Sequence, residues 1–274
     1  MKKVVLVTGA SSGIGEAITL DLLSRNYRVF AAARRLDRMA PLERAGARLL
    51  DLDLADDQMI ETAISEIRAE AGQIDVLVNN AGYGAYGALE EMPMAEARRQ
   101  FEVNVFGLAR LIQLTLPMMR SRRSGRIVNI TSIGGKIHEP MGSWYHATKF
   151  AVEGLSDCLR MELAPFGIDV VVIEPGAIRT EWSGIARKGL IDTSGSGPYA
   201  DLARQTAALL AAGEGKGSPP ALVARAVADA LSARRPRTRY AVGSGARALI
   251  GLRWLLSDRA FDGLMRQFLG LYSR

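Results

Sequence analysis

Apolar residues in this chain fall into short unbroken runs, separated by longer stretches in which they recur every three or four positions. Lys2–Thr8, Tyr27–Ala33, Ala47–Leu52, Asp75–Val78, Arg126–Ile130 and Asp169–Ile173 are runs of the first kind. They read as strands that are apolar on both faces, as in a sheet covered from both sides. A stretch ending near Arg25, then Asp56–Glu70, Ala97–Arg120 and Ala147–Ala164, carry the helical period. Strand and helix alternate, which predicts an α/β fold built on a doubly wound parallel sheet. A later helix at Ala221–Ala233 and a last strand at Thr238–Val242 bring the expectation to about seven strands with helices on both faces.

The rhythm stops after Thr180 and resumes near Pro220. Asp192–Pro198 and Gly213–Pro220 are glycine- and serine-rich and read as turn-forming joints around one helical piece, Tyr199–Ala212. A loop this long inside a compact domain is usually a lid or a binding loop, and residues 178–220 are read here as a substrate lid rather than a surface excursion. Trp182, Ile185, Leu190, Leu202, Leu209 and Leu210 give it an apolar face. A tail, residues 244–274, follows the last strand. In it Phe261, Leu264, Met265 and Phe268 share one helical face while Arg259, Asp262 and Arg266 share the other, with Ser257-Asp258 as the cap. The expected use of that face is packing on the same domain, with a partner helix or a membrane contact as alternatives. No internal repeat is present, and residues 1–274 are read as one domain.

Composition narrows the function. The 274 residues are 48% apolar, enough for a full core, yet no apolar run approaches the roughly 20 residues of a membrane-spanning helix. Val4-Val5-Leu6-Val7 is too short for the apolar region of a signal peptide. The one cysteine, Cys158, excludes an internal disulfide, fits a cytoplasmic setting and is expected to be a buried structural thiol. Two histidines, His138 and His146, and no cysteine cluster leave little for a metal site, so no metal is expected and both histidines are read as bystanders. The net charge of +6 is C-terminal: 14 of the 35 Lys/Arg but only 6 of the 29 Asp/Glu follow position 186. A solvated arginine-rich surface is the preferred reading over an anionic membrane or an acidic substrate group. No basic stretch interleaved with aromatics points to nucleic acid.

Candidate chemistry sits just past the strand ends, where ligands of such sheets bind. Thr8-Gly9-Ala10-Ser11-Ser12-Gly13-Ile14-Gly15 joins the first strand to a helix, and glycines there let backbone amides and a helix N-terminus approach a pyrophosphate. Arg34-Arg35 ends the second strand, where an acidic residue would hold the ribose hydroxyls of NAD and arginine suits the 2′-phosphate of NADP. NADP(H) is therefore the expected cofactor, with NAD(H) second, and Arg34 is placed ahead of Arg35. Asp53, Asn79-Asn80-Ala81-Gly82, Thr131-Ser132 and Pro175-Gly176 also follow strands. Tyr145 and Lys149, four apart on a helix, stack on one face, so an ammonium could draw a phenol from its usual pKa of about 10 toward neutrality for proton transfer.

These elements together resemble the short-chain dehydrogenase/reductase family in its non-extended form, over roughly residues 1–243. The matching positions are Thr8-Gly9-x3-Gly13-x-Gly15, Asp53, Asn79-Asn80-Ala81-Gly82, Asn104, Ser132, Tyr145-x3-Lys149 and Pro175-Gly176-x3-Thr180. The resemblance implies a Rossmann-type fold and an oxidoreductase that interconverts a ketone or aldehyde and an alcohol. It implies that Tyr145 passes a proton to or from the substrate oxygen, that Ser132 holds that oxygen, and that Lys149 tunes Tyr145 and binds the nicotinamide ribose. Asn104 would anchor a water linking Lys149 to solvent, Asp53 would contact the adenine, and residues 79–82 would floor the cofactor. Gly9 to Gly15, Pro175, Gly176, Ile178 and Thr180 would complete its site. Met141, Trp144 and Trp182 are the expected substrate contacts beside Ser132 and Tyr145. The tail resembles that of hydroxysteroid- and retinol-dehydrogenase-like members, which implies a lipophilic substrate such as a steroid or retinoid. A 3-oxoacyl-thioester reductase and a non-catalytic NADP-binding regulatory protein are the alternatives. Homodimers or homotetramers are common in the family, with the helices at Ala97–Arg120 and Ala147–Ala164 as the expected contacts.

Overall fold

The computed structural model describes residues 2–213, 215–268 and 270. Seven strands form a parallel sheet: β1 (Val4–Thr8), β2 (Arg28–Ala33), β3 (Arg48–Asp51), β4 (Val76–Asn79), β5 (Gly125–Ile130), β6 (Ile168–Pro175) and β7 (Arg239–Val242). Their spatial order is β3-β2-β1-β4-β5-β6-β7, and every neighbouring pair runs parallel. Side chains alternate between the faces, because successive residues of a strand point to opposite sides. Val4 and Leu6 of β1 enter one core with α3 (Asp57–Ala71), α5 (Gly107–Ser121) and α6 (Ser143–Leu163), while Val5 and Val7 enter another with α1 (Gly13–Ser24) and α9 (Pro220–Ser232). Burial on both sides is the reason these strands are apolar at every position. A short helix α2 (Ala40–Arg44) packs Leu42 against Ala31 and Ala33 of β2, the strand next to the edge strand β3.

The helices begin and end where local chemistry dictates. Asp56 caps α3, accepting a hydrogen bond from the Met59 amide at 3.1 Å, and Gly72 closes it in a left-handed turn at φ 73°. The segment read as one helix over Ala97–Arg120 is three pieces: α4 (Met94–Phe101), a π-helical turn (Glu102–Phe106) and α5. That wide turn carries Asn104, and π turns inside helices are frequent at functional sites. The helix expected from Ala147 starts at Ser143, so Tyr145 lies inside it.

One difference from the sequence reading concerns residues 178–220. Trp182–Ser194 is a helix, α7, and pairs with α8 (Ala200–Gly213) as a helical hairpin. Two glycines and three β-branched residues weaken α7 as an isolated helix; Ala186, Leu190 and Ser194, spaced by four, are all buried, and packing stabilises it. The hairpin is tied to the body through Ser194 Oγ, which accepts from the Ala88 amide at 2.9 Å, and Tyr199, whose hydroxyl donates to Glu90 Oε2 at 3.0 Å.

The tail forms α10 (Ala246–Leu255) and α11 (Asp258–Phe268). Phe261 and Met265 of α11 are buried against Ile137, and His138 Nε2 lies 2.9 Å from Asp262 Oδ1, so the tail lies on its own chain beside the β5–α6 connection. The side chain expected from Phe268 on that face lies outside the described residues. Cys158, expected to be buried, is exposed on the outer side of α6, because the helix buries the face bearing Val152, Glu153 and Ser156 instead. No described helix is long and apolar enough to cross a membrane.

Candidate functional site

Sheet order places β4 rather than β2's successor beside β1, and the crevice at that reversal opens beyond the carboxyl ends of both strands. Thr8 Oγ1 accepts from the amides of Asn80 and Ala81 at 3.1 Å each, and Asn80 Nδ2 donates to the Thr8 carbonyl at 2.9 Å. These bonds staple the two strand ends into one floor. Gly9 sits at φ 66°, and a Cβ there would come within 2.8 Å of Ala81 Cα. Gly15 does not line the crevice; a Cβ on it would lie 2.3 Å from the Gly9 carbonyl oxygen, so its role is to let α1 close on the turn. The N-terminus of α1 has no side-chain cap, since Ser11 and Ser12 Oγ are instead both held by Arg35 Nη2 at 3.2 Å. Uncapped amides, a helix dipole and two arginines at a cleft wall fit an anionic, pyrophosphate-bearing cofactor. Arg34 is more exposed, with Nη1 3.6 Å from Asp53 Oδ2.

A cleft of about 880 Å³ runs from this loop across the sheet edge. Gly9, Ser11, Ser12, Gly13, Ile14, Arg34, Arg35, Asp53, Asn80, Ala81, Gly82, Pro175, Gly176, Ile178 and Thr180 line it, and so do Ser132, Tyr145, Lys149 and Trp182. Asn104 stands behind the wall. Its Nδ2 donates to the Tyr83 carbonyl at 2.8 Å and to Thr148 Oγ1 at 3.1 Å, and its Oδ1 accepts from the Tyr83 amide at 3.1 Å. The side chain thus braces the β4 loop against α6.

Lys149 and Tyr145 occupy one face of α6 as the four-residue spacing requires, with Lys149 Nζ 5.9 Å from the centroid of the Tyr145 ring. Lys149 Nζ donates to the Ile130 carbonyl at 3.2 Å, which ties it to the end of β5. Burial pushes the Tyr145 phenol up to about 12; a hydrogen bond from Ser132 works against that shift and the carboxylate of Glu139 adds to it. Burial also brings the Lys149 ammonium down to about 8, while Glu153 one turn on supports the charged form. The expected pull of the phenol toward neutrality is therefore outweighed by desolvation in the protein itself. Ser132 reaches this position because it follows β5 in extended backbone, where its Oγ accepts from the Gly134 amide at 3.0 Å.

The other half of the cleft is aromatic and apolar. Gly84 marks where Tyr86, Tyr145 and Trp182 converge: a Cβ on it would lie 2.7 Å from Trp182 Cζ2 and 3.2 Å from both tyrosine rings. Ring centroids of Trp182 and Tyr145 are 5.2 Å apart. Two expected substrate contacts are corrected. Trp144 leaves α6 on a different side and packs edge-on against Phe101 at 6.1 Å, because one residue before Tyr145 on a helix faces about 100° away. Met141 is buried beneath the Tyr86–Tyr145 cluster and does not line the cleft. His146, read as a bystander, does line it, with Nδ1 2.8 Å from the Gly134 carbonyl. Tyr86 and Glu139 went unnoticed in sequence; their hydroxyl–carboxylate contact of 2.7 Å joins loops 53 residues apart. Only their nearness to Gly82 and to the Ser132–Tyr145 interval hinted at them.

The family model for short chain dehydrogenases matches residues 3–189. Among relatives, the chain is 34% identical to the NADPH-dependent 3-dehydrocapnine reductase of Ornithobacterium rhinotracheale over 94% of each chain. It is also 34% identical to the 3-ketodihydrosphingosine reductase of Bacteroides thetaiotaomicron over 88% of each. A short-chain dehydrogenase structure from Streptomyces avermitilis superposes with a TM-score of 0.81 at 36% identity, covering 100% of this chain and 98% of that one. With the parallel seven-stranded sheet, the glycine turn and the Ser132–Tyr145–Lys149 site already in view, the chain belongs to the short-chain dehydrogenase/reductase family and is an oxidoreductase acting on a carbonyl/alcohol pair.

Proposed function

We propose that the protein is an NADP(H)-dependent oxidoreductase for a lipophilic ketone or aldehyde and the matching alcohol, a steroid, retinoid or similar molecule. The observation that carries this reading is that Tyr145, Ser132 and Lys149 stand where the glycine-loop half of the cleft meets its aromatic half. Bound nicotinamide supplies hydride to the substrate carbonyl carbon. The chain's own residues do the rest. Ser132 holds the carbonyl oxygen and stabilises the charge that develops there. The Tyr145 phenol donates its proton to that oxygen, and a phenol held near 12 is protonated and able to donate at neutral pH. Lys149, anchored on the Ile130 carbonyl, presents positive charge beside the phenol and lowers the cost of the phenolate left behind. Asn104 fixes the loop and the helix that hold this arrangement.

The preference for NADP(H) is supported by Arg34 and Arg35 at the end of β2, with no carboxylate at either position, and by the relative named as NADPH-dependent. The lipophilic substrate is supported by Trp182, Leu209 and Leu210 of the α7–α8 hairpin, which wall the cleft beside Tyr145, and the carbonyl substrate by relatives named as a 3-ketodihydrosphingosine reductase and a 3-dehydrocapnine reductase. The hairpin acts as the substrate lid. A homo-oligomer joined through α5 and α6, in the cytoplasm, completes the reading; Phe106, Phe150 and Met161 stand exposed on those helices and the turn before them. Following NADPH and NADH oxidation with steroid, retinoid and 3-oxoacyl-thioester carbonyls tests it: NADPH-dependent reduction of the first two classes is expected, and turnover confined to the thioester would replace it.

A further inference from the structure

Six charged side chains line the cleft, and five have evident company. Arg34 and Arg35 flank the glycine turn, Asp53 lies within 3.6 Å of Arg34 and 3.4 Å of Arg99, Glu181 pairs with Arg38, and Lys149 is anchored beside Tyr145. Glu139 is different. It lies in the aromatic half, beyond the catalytic pair, and no arginine or lysine among the described residues pairs with it. Its Oε1 accepts from the Tyr86 hydroxyl at 2.7 Å and lies 4.0 Å from His146 Nε2. No hydrogen bond among the described residues reaches its other oxygen, and 28% of the side chain is exposed.

His146 does not supply the missing cation in its neutral form. A carbonyl oxygen can only accept, so the contact of Nδ1 with the Gly134 carbonyl places the ring's single proton on Nδ1 and turns a lone pair toward Glu139. His146 Nε2 is itself buried without a partner. Tyr86 provides Glu139 with one donor, and the carboxylate, part-exposed on the cleft wall, keeps an oxygen open to a cationic group bound there. Tyr86 and His146 also bracket the catalytic phenol, with ring centroids 5.8 Å and 5.6 Å from that of Tyr145. Tyr86, which holds Glu139, thus packs against the ring of Tyr145 itself.

We propose that Glu139 is the recognition site for a protonated amine on the substrate, making lipophilic amino ketones and their amino alcohols the preferred substrate class. This rests on the reading of the cleft as a carbonyl-reduction site. The amine would complete the coordination of Glu139 while the carbonyl meets Ser132 and Tyr145 and the hydrocarbon chain runs along Trp182 and the lid.

The test compares a long-chain 2-amino-3-ketone with the 3-ketone of equal length lacking the amine, with NADPH, in wild type and in Glu139→Gln. Wild type should favour the amino ketone at least tenfold in kcat/KM, chiefly through KM, and Glu139→Gln should bring that ratio near unity. A long-chain primary amine should likewise inhibit wild type at least tenfold better than the alcohol of equal length, and Glu139→Gln should remove the difference. Equal use of both ketones by wild type, or an unchanged ratio in Glu139→Gln, overturns the assignment and leaves carbonyl reduction standing. Failure of wild type to reduce either ketone overturns both.

Discussion

Lys149 Nζ stands 5.9 Å from the centre of the Tyr145 ring, one turn along α6, and both side chains are at most 8% exposed. Tyr145→Phe keeps the ring and deletes the proton. Turnover should fall by at least about a hundredfold, the scale of general acid–base catalysis, while NADPH binding stays close to wild type. Steady-state kinetics beside a fluorescence titration of cofactor checks this; turnover near wild type would dismiss Tyr145 as the acid.

The same burial makes a pH prediction. Lys149 is lowered to about 8, so its ammonium, and the support it lends the phenolate, is present below that value and lost as pH rises through it. The kcat/KM for NADPH in the reductive direction should therefore decline above pH ~8, reporting groups of the free enzyme. A flat profile to pH 10 would contradict the role given to Lys149.

Arg34 and Arg35 should separate in their effects. Arg34→Ala is expected to weaken NADPH binding roughly ten- to a hundredfold, the loss of a charge-assisted bond of about 1.5–3 kcal/mol, and to change NADH binding little. Arg35 holds Ser11 and Ser12 of the glycine turn, so Arg35→Ala should weaken both cofactors. Calorimetric titration of each variant with each cofactor distinguishes the two.

Trp182→Ala should raise KM most for bulky lipophilic carbonyls and least for small ones, with NADPH affinity nearly unchanged, because the indole packs on Tyr86 and Tyr145 at the substrate end. Each Å² of apolar substrate surface left uncovered forfeits about 25 cal/mol. A KM series over ketones of increasing size is the measurement, and equal losses across it would remove the lid's role in selectivity.

Glu174 is 3% exposed at the end of β6, and burial, then repulsion from Glu153, raises it to about 7 against the partial relief of Lys136 and Arg239. A folded-state pKa above the unfolded one favours the protonated protein: this contribution is whole below about 4.5 and is lost as pH rises through about 7. Glu174→Gln should consequently flatten the decline of thermal stability between pH 5 and 8, read from Tm at several pH values. A decline as steep as in wild type would place its cause elsewhere.

The sheet was legible in the sequence because a strand buried on both faces must be apolar at nearly every position, and a helix on such a sheet must repeat near 3.6; both patterns are local. The glycine turn and the Tyr145–Lys149 stack were legible for the same reason, since a few consecutive residues set their geometry. Helix α7 was not, because its own propensity is weak and its formation depends on α8 and the body. Nor were the directions of Trp144 and Met141, which hinge on where α6 begins. The meeting of Tyr86, Glu139, His146 and Trp182 around Tyr145, and the burial that sets the Tyr145 and Lys149 pKa values, were decided only by tertiary structure. Those residues come from four separate stretches of chain, and proximity across such distances is a property of packing, which no local period encodes.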